Sequence, residues 1–106
     1  MTDTPDEECL PTPEFPGCLV RDLLIVNKKG LHARATAKFV QCVDSFDAEV
    51  QVARCGEIVG GTSIMGILTL GAGIGMTIRV AVKGPQAQDA LEAITHLVAN
   101  RFGEEE

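Results

Sequence analysis

The chain has no tryptophan and no tyrosine, so its aromatic content rests on four phenylalanines. Without aromatic platforms or a long basic stripe it has little with which to stack on or track a nucleic acid. No apolar run approaches the roughly 20 residues needed to span a bilayer, and membrane insertion is not expected. No cationic stretch leads into an apolar one near the start, so no secretory signal is read and the cytoplasm is the expected compartment. The four cysteines, Cys9, Cys18, Cys42 and Cys55, form no C-x-x-C pair and no Cys/His grouping with zinc spacing. No metal is expected. Cys42 and Cys55 lie in or beside predicted elements and are read as free thiols.

Positive charge is missing from both ends. Residues 1–17 carry Asp3, Asp6, Glu7, Glu8 and Glu14 with no base, and the chain closes on Glu104, Glu105 and Glu106. The overall net charge of −6 therefore hides a slightly basic body, with Lys28, Lys29, Arg34 and Lys38 gathered around His32. A basic rim of this kind suits steered, transient docking of an acidic partner protein. Pro5, Pro11, Pro13 and Pro16 interrupt residues 1–17, which are read as an acidic flexible tail. Residues 18–103 then form one domain with a modest core, and 104–106 an acidic, solubilising end.

Periodicity organises that domain. Leu19 to Val26 alternates as a first strand, with Arg21 and Asp22 marking an edge or an end. A helix is expected from Ala33 to Val43, with Ala33, Thr36, Ala37, Val40 and Val43 facing inward. Ala48 to Ala53 reads as a second strand, turned by Cys55-Gly56 into a third at Glu57 to Gly60. A short helix from Ser63 to about Leu70 follows. Gly71, Gly73 and Gly75 make a flexible loop into a fourth strand, Met76 to Val82. Gly84-Pro85 opens a last helix with the stripe Ala87, Ala90, Leu91, Ile94, Leu97 and Val98. The order β-α-β-β-α-β-α describes an α+β fold, a four-stranded antiparallel sheet with three helices on one face.

The chemistry concentrates in Asn27-Lys28-Lys29-Gly30-Leu31-His32-Ala33-Arg34-Ala35-Thr36-Ala37-Lys38-Phe39. One of only two histidines stands where a loop becomes a helix. A neutral imidazole is a nucleophile, and the first N–H groups of a helix, here Ala33, Arg34 and Ala35, have no intrahelical acceptor. With the positive end of the helix dipole they favour a phosphoryl group on His32. Arg34 can neutralise the added charge through forked hydrogen bonds. Arginine near a helix start is otherwise unfavourable, which hints at function.

Gly30-Leu31-His32-Ala33-Arg34, with Ala37-Lys38-Phe39-Val40 behind it, resembles the active-site segment of HPr, the histidine phosphocarrier family of the bacterial phosphotransferase system. Gly61-Thr62-Ser63-Ile64-Met65-Gly66-Ile67-Leu68 resembles the family's regulatory-serine segment. The resemblance implies an open-faced β-sandwich and a monomeric carrier that is not a stand-alone enzyme. It implies that Nδ1 of His32 takes a phosphoryl group from enzyme I, charged by phosphoenolpyruvate, and passes it to an enzyme IIA, without cofactor. Ala35 departs from the family's usual proline and leaves one more N–H donor, so altered rigidity or tuning is expected. Ser63 is an N-cap in its own right and, in some lineages, the site of a serine kinase/phosphorylase. Ile64 and Met65 are carried over as the enzyme I docking surface, with Leu68 beside them.

Two branches stay open. Phe46-Asp47-Ala48-Glu49-Val50 and Gly84-Pro85-Gln86 look like nitrogen-type members, whereas Ser63-Ile64-Met65-Gly66 is similar to forms under serine-kinase control. Sugar uptake and nitrogen or carbon regulation are both compatible, with the balance toward regulation. The rival class is a binding module that carries no phosphate and is switched by phosphorylation at Ser63. The loop Gly71-Ala72-Gly73-Ile74-Gly75 lacks the strand–loop–helix order and the lysine of a nucleotide site. His96 falls on the polar side of the last helix and is read as solvated surface.

Overall fold

Alternation in Thr77–Lys83 sends Ile78, Val80 and Val82 to one side of an extended segment, and all three are fully buried. That segment sits inside the sheet, between two strands that both precede it in sequence. The computed structural model describes residues 15–104. Its elements are β1 (Leu19–Leu24), α1 (Ala33–Asp44), β2 (Glu49–Arg54), β3 (Glu57–Gly60), α2 (Ile64–Thr69), β4 (Thr77–Lys83) and α3 (Ala87–Ala99), then a short turn at Arg101–Gly103. The sheet order is β1-β4-β2-β3 and each neighbouring pair is antiparallel. Among the described residues no helix is long and apolar enough to cross a membrane. The expected tail falls almost wholly on residues 1–14, outside the described part.

One face of the sheet meets the helices. Leu23 of β1, Val50 and Val52 of β2 and the β4 trio pack with Phe39, Val43, Ile67, Leu91, Ile94 and Val98. Each such side chain, fully buried, contributes about 1.5–3 kcal/mol from apolar area alone. The α3 stripe is seated as expected: Ala87, Ala90, Leu91, Ile94 and Val98 are buried and Leu97 is half-buried. The α1 stripe is rotated from its expected position. Ala35, Thr36, Phe39 and Val43 point inward, Ala33 is exposed, and Ala37 and Val40 are half-buried. Phe39 decides this, because burying a phenyl ring outweighs burying the methyl groups of Ala33 and Ala37.

Arg21 and Asp22 mark an edge, since β1 is an outer strand, and they lie on opposite faces of it. Arg21 donates to Thr95 Oγ1 on α3 at 3.0 Å, and Asp22 pairs with Arg79 across the open face at 2.8 Å. Cys55 and Gly56 turn β2 into β3 with φ of +56° and +82°, the left-handed pair that a tight hairpin needs. Cys18 and Cys42 are free thiols. Cys55 is disulfide-bonded, against the sequence expectation; spacing along a chain carries no information about which sulfurs meet in space.

Candidate functional site

Past Leu24 regular pairing gives way to two backbone bonds, Ile25 N–H to Met76 O and Gly75 N–H to Ile25 O, both 2.8 Å. They bring the loop after β1 against the loop before β4. Asn27 then starts a turn closed by Gly30: the Gly30 N–H donates to Asn27 O at 3.2 Å, and Asn27 Nδ2 donates to Gly30 O at 2.8 Å. Lys28 and Lys29 form the exposed tip. Gly30 has φ of +65°, and a Cβ there would stand 2.6 Å from Ala72 O. Only glycine allows that approach, after which Leu31 N–H reaches Ala72 O at 2.9 Å. The stretch from Gly71 to Gly75, expected as a flexible connection, therefore braces the loop that carries His32.

His32 is the N-cap of α1, with an extended backbone, and its side chain accepts no hydrogen bond from the helix N–H groups. The first intrahelical bond runs from Thr36 N–H to His32 O at 2.9 Å. Ala33, Arg34 and Ala35 thus occupy the first turn, where N–H groups lack intrahelical acceptors. Arg34 is exposed, with no acidic residue beside it in that turn, and Ala35 is fully buried against the core. The ring of His32 is 28% exposed. It opens onto a cleft of about 620 Å³ lined by Lys29, His32, Ala33, Arg34, Lys38, Gly103 and Glu104.

Two residues at this site were not singled out from the sequence, Glu104 in the cleft lining and Asn27 buried behind it. Glu104, read as part of a solubilising end, lies with Oε2 2.5 Å from His32 Nε2. Its Oε1 accepts from Asn27 Nδ2 at 3.1 Å, and Asn27 is fully buried. Leaving water pushes the Glu104 pKa upward, but the hydrogen bonds from Asn27 and His32 and the fields of His32 and Lys29 outweigh this. The carboxyl titrates below its ordinary 4.5 and is ionised at neutral pH. Asn27 had a local signal, an asparagine three residues ahead of a glycine, which is a turn signature. Glu104 had none.

The second segment lies on the neighbouring helix, since α2 packs against α1. Ser63 is exposed and is the N-cap of α2; its Oγ accepts from Gly66 N–H at 3.1 Å. Ile67 turns into the core, while Ile64 is 42% and Met65 71% exposed and Leu68 is half-buried. His96 is exposed on α3. Among the described residues no three His, Cys, Asp or Glu side chains gather as a metal site.

Comparison with known proteins agrees with this arrangement. Residues 19–100 match the family model described as the PTS HPr component phosphorylation site. The phosphocarrier protein HPr of Cupriavidus necator is 49% identical over 88 residues, 83% of this chain and 99% of its own. That of Xylella fastidiosa is 41% identical over 87 residues, 82% and 98% of the two chains. Among solved structures, HPr-C-His from Thermoanaerobacter tengcongensis superposes with a TM-score of 0.80 at 35% identity, covering 83% of this chain and 99% of that one. The sheet order, the histidine-bearing loop and these relatives converge: the chain belongs to the HPr family of phosphocarriers of the phosphotransferase system.

Proposed function

We propose that His32 accepts a phosphoryl group from enzyme I, itself charged by phosphoenolpyruvate, and passes it in the cytoplasm to an enzyme IIA. The observation that carries this reading is the place of His32: a partly exposed imidazole capping α1, at the mouth of a cleft walled by Lys29, Arg34 and Lys38. Nδ1 attacks phosphorus in line with the donor's leaving atom. The N–H groups of Ala33, Arg34 and Ala35 and the Arg34 guanidinium meet the phosphoryl oxygens, while Lys29 and Lys38 add positive field. Positioning and electrostatics do the work, as expected for phosphoryl transfer. The open cleft admits a donor or an acceptor protein in turn, so the same nitrogen serves both transfers.

Ile64 and Met65, with the edge of Leu68, form the docking patch for enzyme I. Exposed apolar residues that include a flexible methionine suit more than one partner. Phosphorylation of Ser63 by a serine kinase would add about −2 charge beside this patch and weaken docking of an acidic partner. The test is intact-mass spectrometry after incubation with enzyme I and phosphoenolpyruvate. One acid-labile phosphoryl on the wild type and none on a folded His32→Ala variant is the expected result. No modification of the wild type by a competent enzyme I would sink the carrier role and favour a contact-only module acting through Ile64 and Met65.

A further inference from the structure

After α3 the chain takes an unusual path. Arg101, Phe102 and Gly103 all have left-handed backbones, with φ of +57°, +55° and +79°. Two of them are not glycine, and such conformations persist only where the surroundings impose them. Those surroundings are visible. The Phe102 ring is fully buried, Lys38 Nζ donates to Phe102 O at 2.7 Å, and Glu104 N–H donates to Arg101 O at 2.9 Å. The turn is thereby anchored to α1, and its next residue is aimed back at the start of that helix. There Glu104 meets His32 through Oε2 and buried Asn27 through Oε1.

We propose that Glu104 is a positioning residue for His32: its carboxylate accepts the Nε2–H, leaves the reactive lone pair on Nδ1, and balances the charge the ring acquires on phosphorylation. The role rests on the reading of His32 as phosphoryl acceptor. A neutral imidazole carries one N–H and one lone pair, and the partner of one nitrogen decides the role of the other. With Nε2–H held by a carboxylate, Nδ1 is the nucleophile. Its lone pair forms the N–P bond, the bond from phosphorus to the donor's leaving atom breaks, and the donor keeps that electron pair. The ring retains its Nε2–H and becomes an imidazolium carrying the phosphoryl group.

The Glu104 carboxylate is already in place against that charge, so no rearrangement is required during transfer. Its own charge meets Nε2, whereas the phosphoryl oxygens gather at Nδ1. In the onward transfer the same contact keeps the ring protonated, and a protonated imidazole leaves phosphorus more readily than a neutral one would. Asn27 completes the arrangement by holding the second carboxylate oxygen, the way an outer partner fixes a ligand in a metal site. An opposing possibility is that Glu104 plugs the cleft and must leave before transfer.

The experiment uses the full chain and its Glu104→Gln and Glu104→Ala variants. Ring ¹⁵N shifts of His32 at alkaline pH report which nitrogen bears the proton, and steady-state transfer from enzyme I gives kcat and KM separately. In the wild type Nε2 should be the protonated nitrogen. Glu104→Gln, which keeps an acceptor oxygen, should retain that tautomer, and Glu104→Ala should mix the two. Both variants should lose about tenfold in kcat with KM little changed. An unmixed tautomer in Glu104→Ala, or transfer as fast as or faster than wild type, overturns the role. A wild type that accepts no phosphoryl group overturns the reading of His32 as well, whereas a phosphorylated wild type with unaffected variants overturns Glu104 alone.

Discussion

Replacing Gly30 by alanine isolates the contact that holds the His32 loop in place. Two penalties add. A left-handed backbone costs a residue with a Cβ about 1–2 kcal/mol, and Gly30 sits at φ +65°. The new Cβ would also stand 2.6 Å from Ala72 O and 2.7 Å from Gly73 Cα, both backbone atoms that cannot rotate away. The two loops must part, which weakens the Leu31 N–H bond to Ala72 O, worth about 0.5–1.5 kcal/mol. A loss of about 2–3 kcal/mol follows. For a domain of this size it lowers the Tm by roughly 10–20 °C. Gly71 provides the control, because its φ is also +65° but nothing lies within 4 Å of its Cβ position. Gly71→Ala should show the backbone penalty alone, about 1–2 kcal/mol. Gly60, with neither left-handed φ nor a close neighbour, should tolerate alanine within about 0.5 kcal/mol. Urea titrations followed by far-ultraviolet circular dichroism measure the series, since the chain has no tryptophan or tyrosine to report by fluorescence. If Gly30→Ala proves no less stable than Gly71→Ala, the bracing argument is wrong.

At α2, Ser63→Ala removes the acceptor for Gly66 N–H and should cost about 1 kcal/mol by the same titration. Ser63→Asp should keep most of the cap and, on the proposed docking of enzyme I, raise the KM of enzyme I for this protein; an unchanged KM would detach Ser63 from the proposed docking patch. The pH dependence has a definite sign. Asp22 is held below its ordinary 3.8, chiefly by the hydrogen bond from Arg79, with burial opposing and the Arg79 charge assisting. Its contribution is full above 3.8 and is lost as pH falls from there through the lower folded value. Because the pair is half-exposed, Asp22→Asn should cost under about 1 kcal/mol at neutral pH and flatten the fall of stability in acid, below the ordinary carboxylate range, by a similar amount. Acid unfolding that is identical in wild type and variant would show that the pair contributes nothing.

Local pattern was enough for most of the scaffold. The α3 stripe, the alternation of β4 and the Cys55-Gly56 turn are written in neighbouring residues, and element ends moved by only a residue or two. The face of α1 was misjudged because a helix with alanines on several sides leaves its orientation to whichever side chain gains most from burial, and Phe39 won. Likewise the candidate site was legible as far as it is contiguous: Gly30 through Lys38 holds the histidine, the helix start and part of the basic rim. The Gly71–Gly75 loop looked like slack chain because its bonds to Ile25 and Leu31 join segments far apart in sequence.

Sequence by itself therefore determined the family, the element order, the histidine at the start of α1 and the cap at Ser63, since each depends on periodicity or on residues within one turn of each other. Only the tertiary structure decided what surrounds His32. The carboxylate at His32 comes from 72 residues away, delivered by a left-handed turn that a buried Phe102 and the Lys38 ammonium impose. Nothing local to Glu104 separates it from the acids that follow it. Its partner is chosen by packing, and packing is a property of the folded chain.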